Sequence, residues 1–237
     1  VDSTALVHLR PATKSARGNS AVSFAEFGDD GENDPMHDLA TSLSNHELLH
    51  ARVVVVAEGD TEQVVIPLLY RRIHGRSAAI DRVHVISRRG GSEAVRMADM
   101  LAHQLHRETV LTLDADQAET KDVRAALKLV GDVEKHFLGV RELEDCFDDT
   151  AWSAGIIAYA EKHQLPSDHW HPDRIGKIRT EAALRGKGLS KALNDVLYPE
   201  WDHSPRKQEL ARLVAERAEL SSLHDTLIRL MHAIKRP

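Results

Sequence analysis

The sequence predicts an α/β protein: a four-stranded, flavodoxin-like parallel sheet flanked by helices, followed by an all-helical part. Three observations predict it. Val53-Val54-Val55-Val56 is an unbroken β-branched run, the pattern of a strand covered on both faces. Strand-like and helix-like periodicities then alternate up to about residue 150, as parallel strands with crossover helices require. After Phe147 no further strand pattern occurs, only helical spacing.

The elements follow in order. Residues 1–50 read poorly as core, with the polar stretch 14–20 and the acidic, glycine-rich run Gly28-Asp29-Asp30-Gly31-Glu32-Asn33-Asp34-Pro35. A short strand near Ala21 to Phe24 and a helix near His37 to Leu49 fit there, and the segment looks like a lead-in. The strand from Val53 ends in Glu58-Gly59-Asp60-Thr61-Glu62. Val64, Val65, Leu68, Leu69 and Ile73 then recur at helical spacing. A second strand, Val83 to Ser87, leads through Arg88-Arg89-Gly90-Gly91 to an amphipathic helix (Ala94, Met97, Ala98, Leu101, Leu105) with Ser92 as its expected N-cap. The third strand, Thr109 to Leu113, ends at Asp114-Ala115-Asp116, and a helix runs from about Ala118 to Val130. A fourth strand, His136 to Val140, leads to Glu142-Leu143-Glu144-Asp145. Five helices are expected beyond it: 152–163, 175–184, 190–197, 207–220 and 223–234.

Composition narrows the function. The 237 residues (26.4 kDa) suit one large domain with an insertion or extension. No apolar run is long enough to span a bilayer and no basic-then-apolar leader is visible, so the expectation is a cytoplasmic protein with no membrane partner. Cys146, the only cysteine, excludes an intrachain disulfide and a cysteine zinc cage. A charge of −6 and 4% aromatics argue against a nucleic-acid coating protein, though not against an enzyme whose metal site concentrates carboxylates. No G-x-x-x-x-G-K-[ST] occurs, so no nucleotide is expected to bind this chain; Arg185-Gly186-Lys187-Gly188 has neither the spacing nor a preceding strand.

Three of the four predicted strands end in acids: Glu58 after the first, Asp114 and Asp116 after the third, Glu142 and Glu144 after the fourth. Glu62 lies one helical turn past Glu58, with Gly59 allowing a tight turn between them. In an open α/β sheet these ends share the edge where ligands bind. With first and third strands adjacent, they would stand about 4.8 Å apart. Carboxylates so close need compensation, which hard divalent cations supply. Each acid taken singly also fits a blander role, as a helix N-terminal acid or a turn aspartate. Their shared position is what favours a metal site.

At these residues the sequence resembles a known family. The strand followed by E-G-x-T-E (Glu58 to Glu62), with Leu111-Thr112-Leu113-Asp114-Ala115-Asp116 after it, looks like the topoisomerase–primase (Toprim) domain. The later E-L-E-D and a lysine before closing helices resemble the OLD (overcoming lysogenization defect) nucleases, from about Ser44 to the C-terminus. The resemblance implies a Toprim core over 51–150, a helical insertion over 151–203, and helices over 204–237 that return to the core. Residues 1–50 would link it to a missing N-terminal ATPase region. Glu58, Glu62, Asp114, Asp116 and Glu144 would hold two Mg²⁺ (or Mn²⁺). Glu58, Asp114 and Lys207 would be catalytic, Lys207 offsetting transition-state charge with Arg206 as its alternative. Thr112, Gly59 and Glu142 would support them.

The implied function is metal-dependent nicking and cleavage of duplex DNA by a two-metal mechanism, in phage defence or repair. DNA would be the partner, and the full-length protein could oligomerise. Two alternatives stay open: an RNA-processing Toprim nuclease and a non-catalytic DNA-binding Toprim module. Arg174, Lys177, Arg179, Arg185, Lys187 and Lys191 could contact DNA phosphates or form a solvated helical face. His169-Trp170-His171 reads as a surface loop, and Tyr70, Tyr159 and Tyr198 as packing residues.

Overall fold

Alternate valines of the 53–57 strand face opposite sides of the sheet, and each side has its own core. Val53, Val55 and Ala57 belong to one apolar cluster and Val54 and Val56 to the other; all five are fully buried. That is why the run shows no polar alternation. The computed structural model describes residues 6–11, 20–25, 50–88 and 90–235.

Strands β1 (Leu6–Pro11) and β2 (Ser20–Ala25) pair antiparallel, with Leu6 opposite Ala25. The strand expected near Ala21 is therefore present, with a partner that the sequence reading did not anticipate. The helix expected at 37–49 lies outside the described residues.

The main sheet comprises β3 (Val53–Ala57), β4 (Val83–Ser87), β5 (Glu108–Asp114) and β6 (Glu134–Leu138). Its order is β4-β3-β5-β6 and every pairing is parallel. First and third predicted strands are thus neighbours, with Ala57 opposite Thr112. Helices α1 (Asp60–His74), α2 (Gly91–Asp99) and α3 (Lys121–Leu127) make the crossovers. Beyond the sheet come α4 (Asp149–His163), α5 (Pro172–Leu184), α6 (Leu189–Trp201), α7 (Lys207–Arg217) and α8 (Asp225–Lys235). Among the described residues no strand follows β6.

Helices α2 and α3 cover the Val54/Val56 face, whereas α1, α4, α7 and α8 share the cluster on the other face. Helix α7 packs against both α4 and α1. Its approach to α4 is close enough that a Cβ on Gly155 would lie 2.9 Å from the Val214 backbone. Small residues permit such contact, and here it brings the first residue of α7 to the sheet edge.

Among the boundaries that differ from expectation, three have a local cause. Gly90, not Ser92, occupies the N-cap of α2, and no side chain caps that end. The predicted 94–105 helix changes character at residue 100, where one π-helical turn (Met100–Gln104) closes it. The last strand spans 134–138 instead of 136–140, because Gly139 leaves the strand with φ +71° and exposed Val140 lies beyond it.

Candidate active site

The parallel register delivers Glu58 and Asp114 side by side, since each ends or immediately follows one of two adjacent strands. The Asp114 backbone N–H donates to Glu58 Oε2 at 3.3 Å. Asp114 Oδ1 in turn accepts the Leu143 N–H at 2.8 Å. Leu143 opens a short 3-10 turn (Leu143–Cys146) containing Glu144, which is 3% exposed. Glu144 Oε1 lies 3.0 Å from Nζ of Lys207, the first residue of α7. Contacts in series thus join the ends of β3, β5 and β6 to a helix far along the chain.

Glu62 enters from the first turn of α1 and is 5% exposed. Gly59 makes room for it: a Cβ there would sit 3.0 Å from Glu62 Oε2. The Gly59 backbone is extended (φ −135°), so space, not a tight turn, is what calls for glycine. The cleft enclosed is about 540 Å³, lined among others by Glu58, Glu62, Asp114, Glu144, Arg206 and Lys207.

Burial and crowding set the protonation of these acids. Burial, then the charges of Glu62, Glu144 and Glu58, pushes Asp114 up to about 9 despite the Leu143 N–H. Glu62 is raised to about 7, again by burial first and then by Glu144, with Lys207 opposing. Burial also raises Glu58, against the Asp114 N–H. Lys207 loses from burial, yet Glu144 above all holds its ammonium above the ordinary lysine range. Carboxylates that retain protons near neutrality mark a site short of positive charge.

Other candidate residues stand elsewhere. Asp116 is exposed and does not line the cleft, although its charge helps raise Glu58. Thr112 is wholly buried, its hydroxyl donating to Val56 O at 3.5 Å. Glu142 turns away to accept the Ser190 N–H at 2.6 Å, fastening the start of α6 to the acid-bearing turn.

The basic stretch divides. Arg179 is spent on Asp149 Oδ1 (2.8 Å), Phe147 O (2.8 Å) and Asp145 Oδ1 (3.3 Å). Arg174 pairs with Glu200 and lies 4.1 Å above the Trp170 ring; Lys187 pairs with Asp195. Exposed Arg185 is 3.6 Å from Glu181, while Lys177 and Lys191 are exposed on α5 and α6. His169 binds Glu200 at 2.7 Å. Tyr70 donates to Asp81 at 2.7 Å and the Tyr159 hydroxyl accepts the Arg206 N–H at 3.1 Å; Tyr198 is exposed.

Two contributors escaped the sequence reading. Asp60 lines the cleft, its Oδ1 accepting the Ser87 hydroxyl at 2.6 Å; as the variable residue of E-G-x-T-E it carries no motif signal. Asp145 Oδ2 accepts the Arg141 and Glu142 N–H groups and so shapes the acid-bearing turn. Its only trace in the sequence is the E-L-E-D run.

The donor set consists of carboxylate oxygens without sulfur or imidazole, which fits a hard divalent cation. Among the described residues no three His, Cys, Asp or Glu side chains close into a ready-made cage. The acids line an open cleft, with Lys207 among them.

Residues 49–116 match the family model for the overcoming lysogenization defect protein-like TOPRIM domain. That segment is similar to the OLD-like Toprim domains. The whole fold reaches further than this match. The C-terminal region of the Burkholderia pseudomallei OLD protein is similar at TM-score 0.55 and 14% identity, over 78% of this chain and 97% of that one. The corresponding region from Xanthomonas campestris pv. campestris gives TM-score 0.50 and 14% identity, over 80% and 94%. At such identity the likeness concerns fold, and it extends the OLD C-terminal architecture past the Toprim sheet into the helices. Comparison with curated protein sequences gives no match. No helix among the described residues is long and apolar enough to cross a membrane.

Proposed function

We propose that this chain is a divalent-metal-dependent endonuclease that nicks and cleaves duplex DNA, the nuclease portion of an OLD-type ATPase–nuclease protein. The observation that carries the proposal is the convergence of Glu58, Glu62, Asp114 and Glu144 on one cleft, where burial first and then the neighbouring carboxylates push Asp114 up to about 9. A structural protein gains nothing from such crowding. An ion site needs it.

Glu58, Glu62 and Asp114 would hold the metal, Mg²⁺ in the cell with Mn²⁺ as a substitute, and Asp116 would join from the cleft's edge. Bound there, such ions would supply an activated water and neutralise charge on the phosphodiester. Lys207 would place its ammonium beside the leaving oxygen, a fixed charge in a partly dry cleft. Glu144 would aim that ammonium as well as contribute negative charge. Residues 1–50 would lead in from an ATPase region, 151–203 would be the insertion and 204–237 the return to the core. The test is supercoiled-plasmid cleavage with Mg²⁺, Mn²⁺, Ca²⁺ or EDTA. Nicked and linear products with Mg²⁺ or Mn²⁺ alone support the proposal, and intact plasmid in every lane refutes it.

A further inference from the structure

Glu144 and Lys207 form a wall with a cavity on each side. One is the acid cleft. The other, of about 390 Å³, lies between α6 and α7. Its body is apolar, made by Leu193, Leu197 and Leu210 over the buried ring of Trp152. Around it stand groups of another kind: Ser190, Asn194 and Ser204 offer neutral donors and acceptors, Lys191 adds an exposed ammonium, and the Glu142 carboxylate, which accepts the Ser190 N–H, lines it too. Of its two carboxylates, Glu144 is shared with the acid cleft and Glu142 is not.

We propose that this cavity takes one unpaired nucleobase of the DNA strand being cut. The proposal rests on the nuclease reading and specifies its substrate: DNA with a bulged or frayed nucleotide next to the scissile bond. A base is a flat apolar body with a polar edge, and the cavity has apolar walls with an amide and two hydroxyls beside them. Lys207 lines this cavity as well as the acid cleft, so the phosphate of a nucleotide seated there would lie within reach of both. Extruding a base costs unstacking, which is smallest where the base is already unpaired. The insertion would thus select the DNA structure while the sheet edge holds the chemistry.

The experiment uses two oligonucleotide duplexes, one fully paired and one with a single bulged 2-aminopurine. In Ca²⁺ buffer, acrylamide quenching reports whether the bulged base is enclosed; in Mg²⁺ buffer, cleavage of the two duplexes is compared. Wild-type protein should shield the bulged 2-aminopurine and cut that duplex roughly tenfold faster, the scale of one base's contacts. Asn194→Phe, which puts a large ring at a lining position, should abolish shielding and bring the cleavage ratio to about one. Asn194→Ala should weaken both if the larger side chain prevents folding. Equal cleavage of both duplexes, or a quenchable base in the wild-type complex, overturns the pocket and leaves the nuclease reading standing. A shielded base with neither duplex cut would instead remove the nuclease reading and keep the pocket.

Discussion

Lys207 Nζ meets Glu144 Oε1 at 3.0 Å, across a wall that separates the acid cleft from a second, apolar cavity. The carboxylate is buried while the lysine side chain remains largely exposed, so the pair is asymmetric. Removing the lysine leaves Glu144 with an uncompensated buried charge. Lys207→Gln should lower the cleavage rate by about 10²–10³-fold, as loss of a transition-state contact does. Arg206→Gln, whose exposed side chain also lines the cleft, should cost less. Single-turnover plasmid nicking checks the order.

Asp114→Asn separates stability from function. The amide still accepts the Leu143 N–H and, unlike the carboxyl group, is neutral in the cleft without taking up a proton on folding. Cleavage should fall below detection. The metal-free protein should nevertheless melt about 2–8 °C higher, since a functional strain has been relieved. Melting in EDTA beside plasmid cleavage in Mg²⁺ tests both halves.

The pH dependence has a definite sign. Asp114 rises from 3.8 to about 9 on folding, and Glu62 and Glu142 from 4.5 to about 7. The folded metal-free protein therefore binds more protons than the unfolded chain between about pH 4 and 9. Stability is greatest below that window and is lost as pH rises through the folded values. Denaturant midpoints in EDTA should fall from pH 5 to pH 9, and saturating Mg²⁺ should flatten the slope. A midpoint that climbs with pH in EDTA would contradict the crowding.

Gly155→Ala should act at a distance. Its new methyl would meet the Val214 backbone, which cannot rotate away, forcing α7 from α4. A cost of about 1–3 kcal/mol is typical of such overpacking. Because α7 carries Lys207, cleavage per folded molecule should fall as well. Urea denaturation with activity normalised to folded protein measures both.

The basic residues of α5 and α6 should divide by their contacts. Arg179→Ala should lower the melting temperature, since Asp145, Asp149 and Phe147 O lose a shared donor. Lys177→Gln should leave melting unchanged and reduce the slope of log affinity for DNA against log salt by about one. Salt-titrated DNA binding distinguishes them.

The sheet was legible because its signals are local. A run of four valines can only be buried twice over, and acids after strands can only reach one edge of a parallel sheet. What stayed hidden depends on contacts between distant residues. Glu142 reads as one more acid beside Glu144, yet it holds α6 through Ser190, 48 residues away. The six basic residues of 174–191 read as one patch, although Arg174, Arg179 and Lys187 find acid partners. Gly59 looked like a turn residue, whereas the space taken by Glu62 explains it. Thr112 shares its motif and its sheet face with Asp114, but it stands two residues inside the strand and is wholly buried, whereas Asp114 ends the strand at the edge.

The most direct test of the account is calorimetric titration of Mn²⁺ into wild-type protein and Asp114→Asn at pH 8, beside plasmid cleavage in the same buffer. Saturable binding of up to two ions by wild type, with proton release and with loss of both binding and cleavage in the variant, is the expected result. Cleavage that persists in EDTA, or wild-type protein that takes up no Mn²⁺ at millimolar concentration, would contradict it.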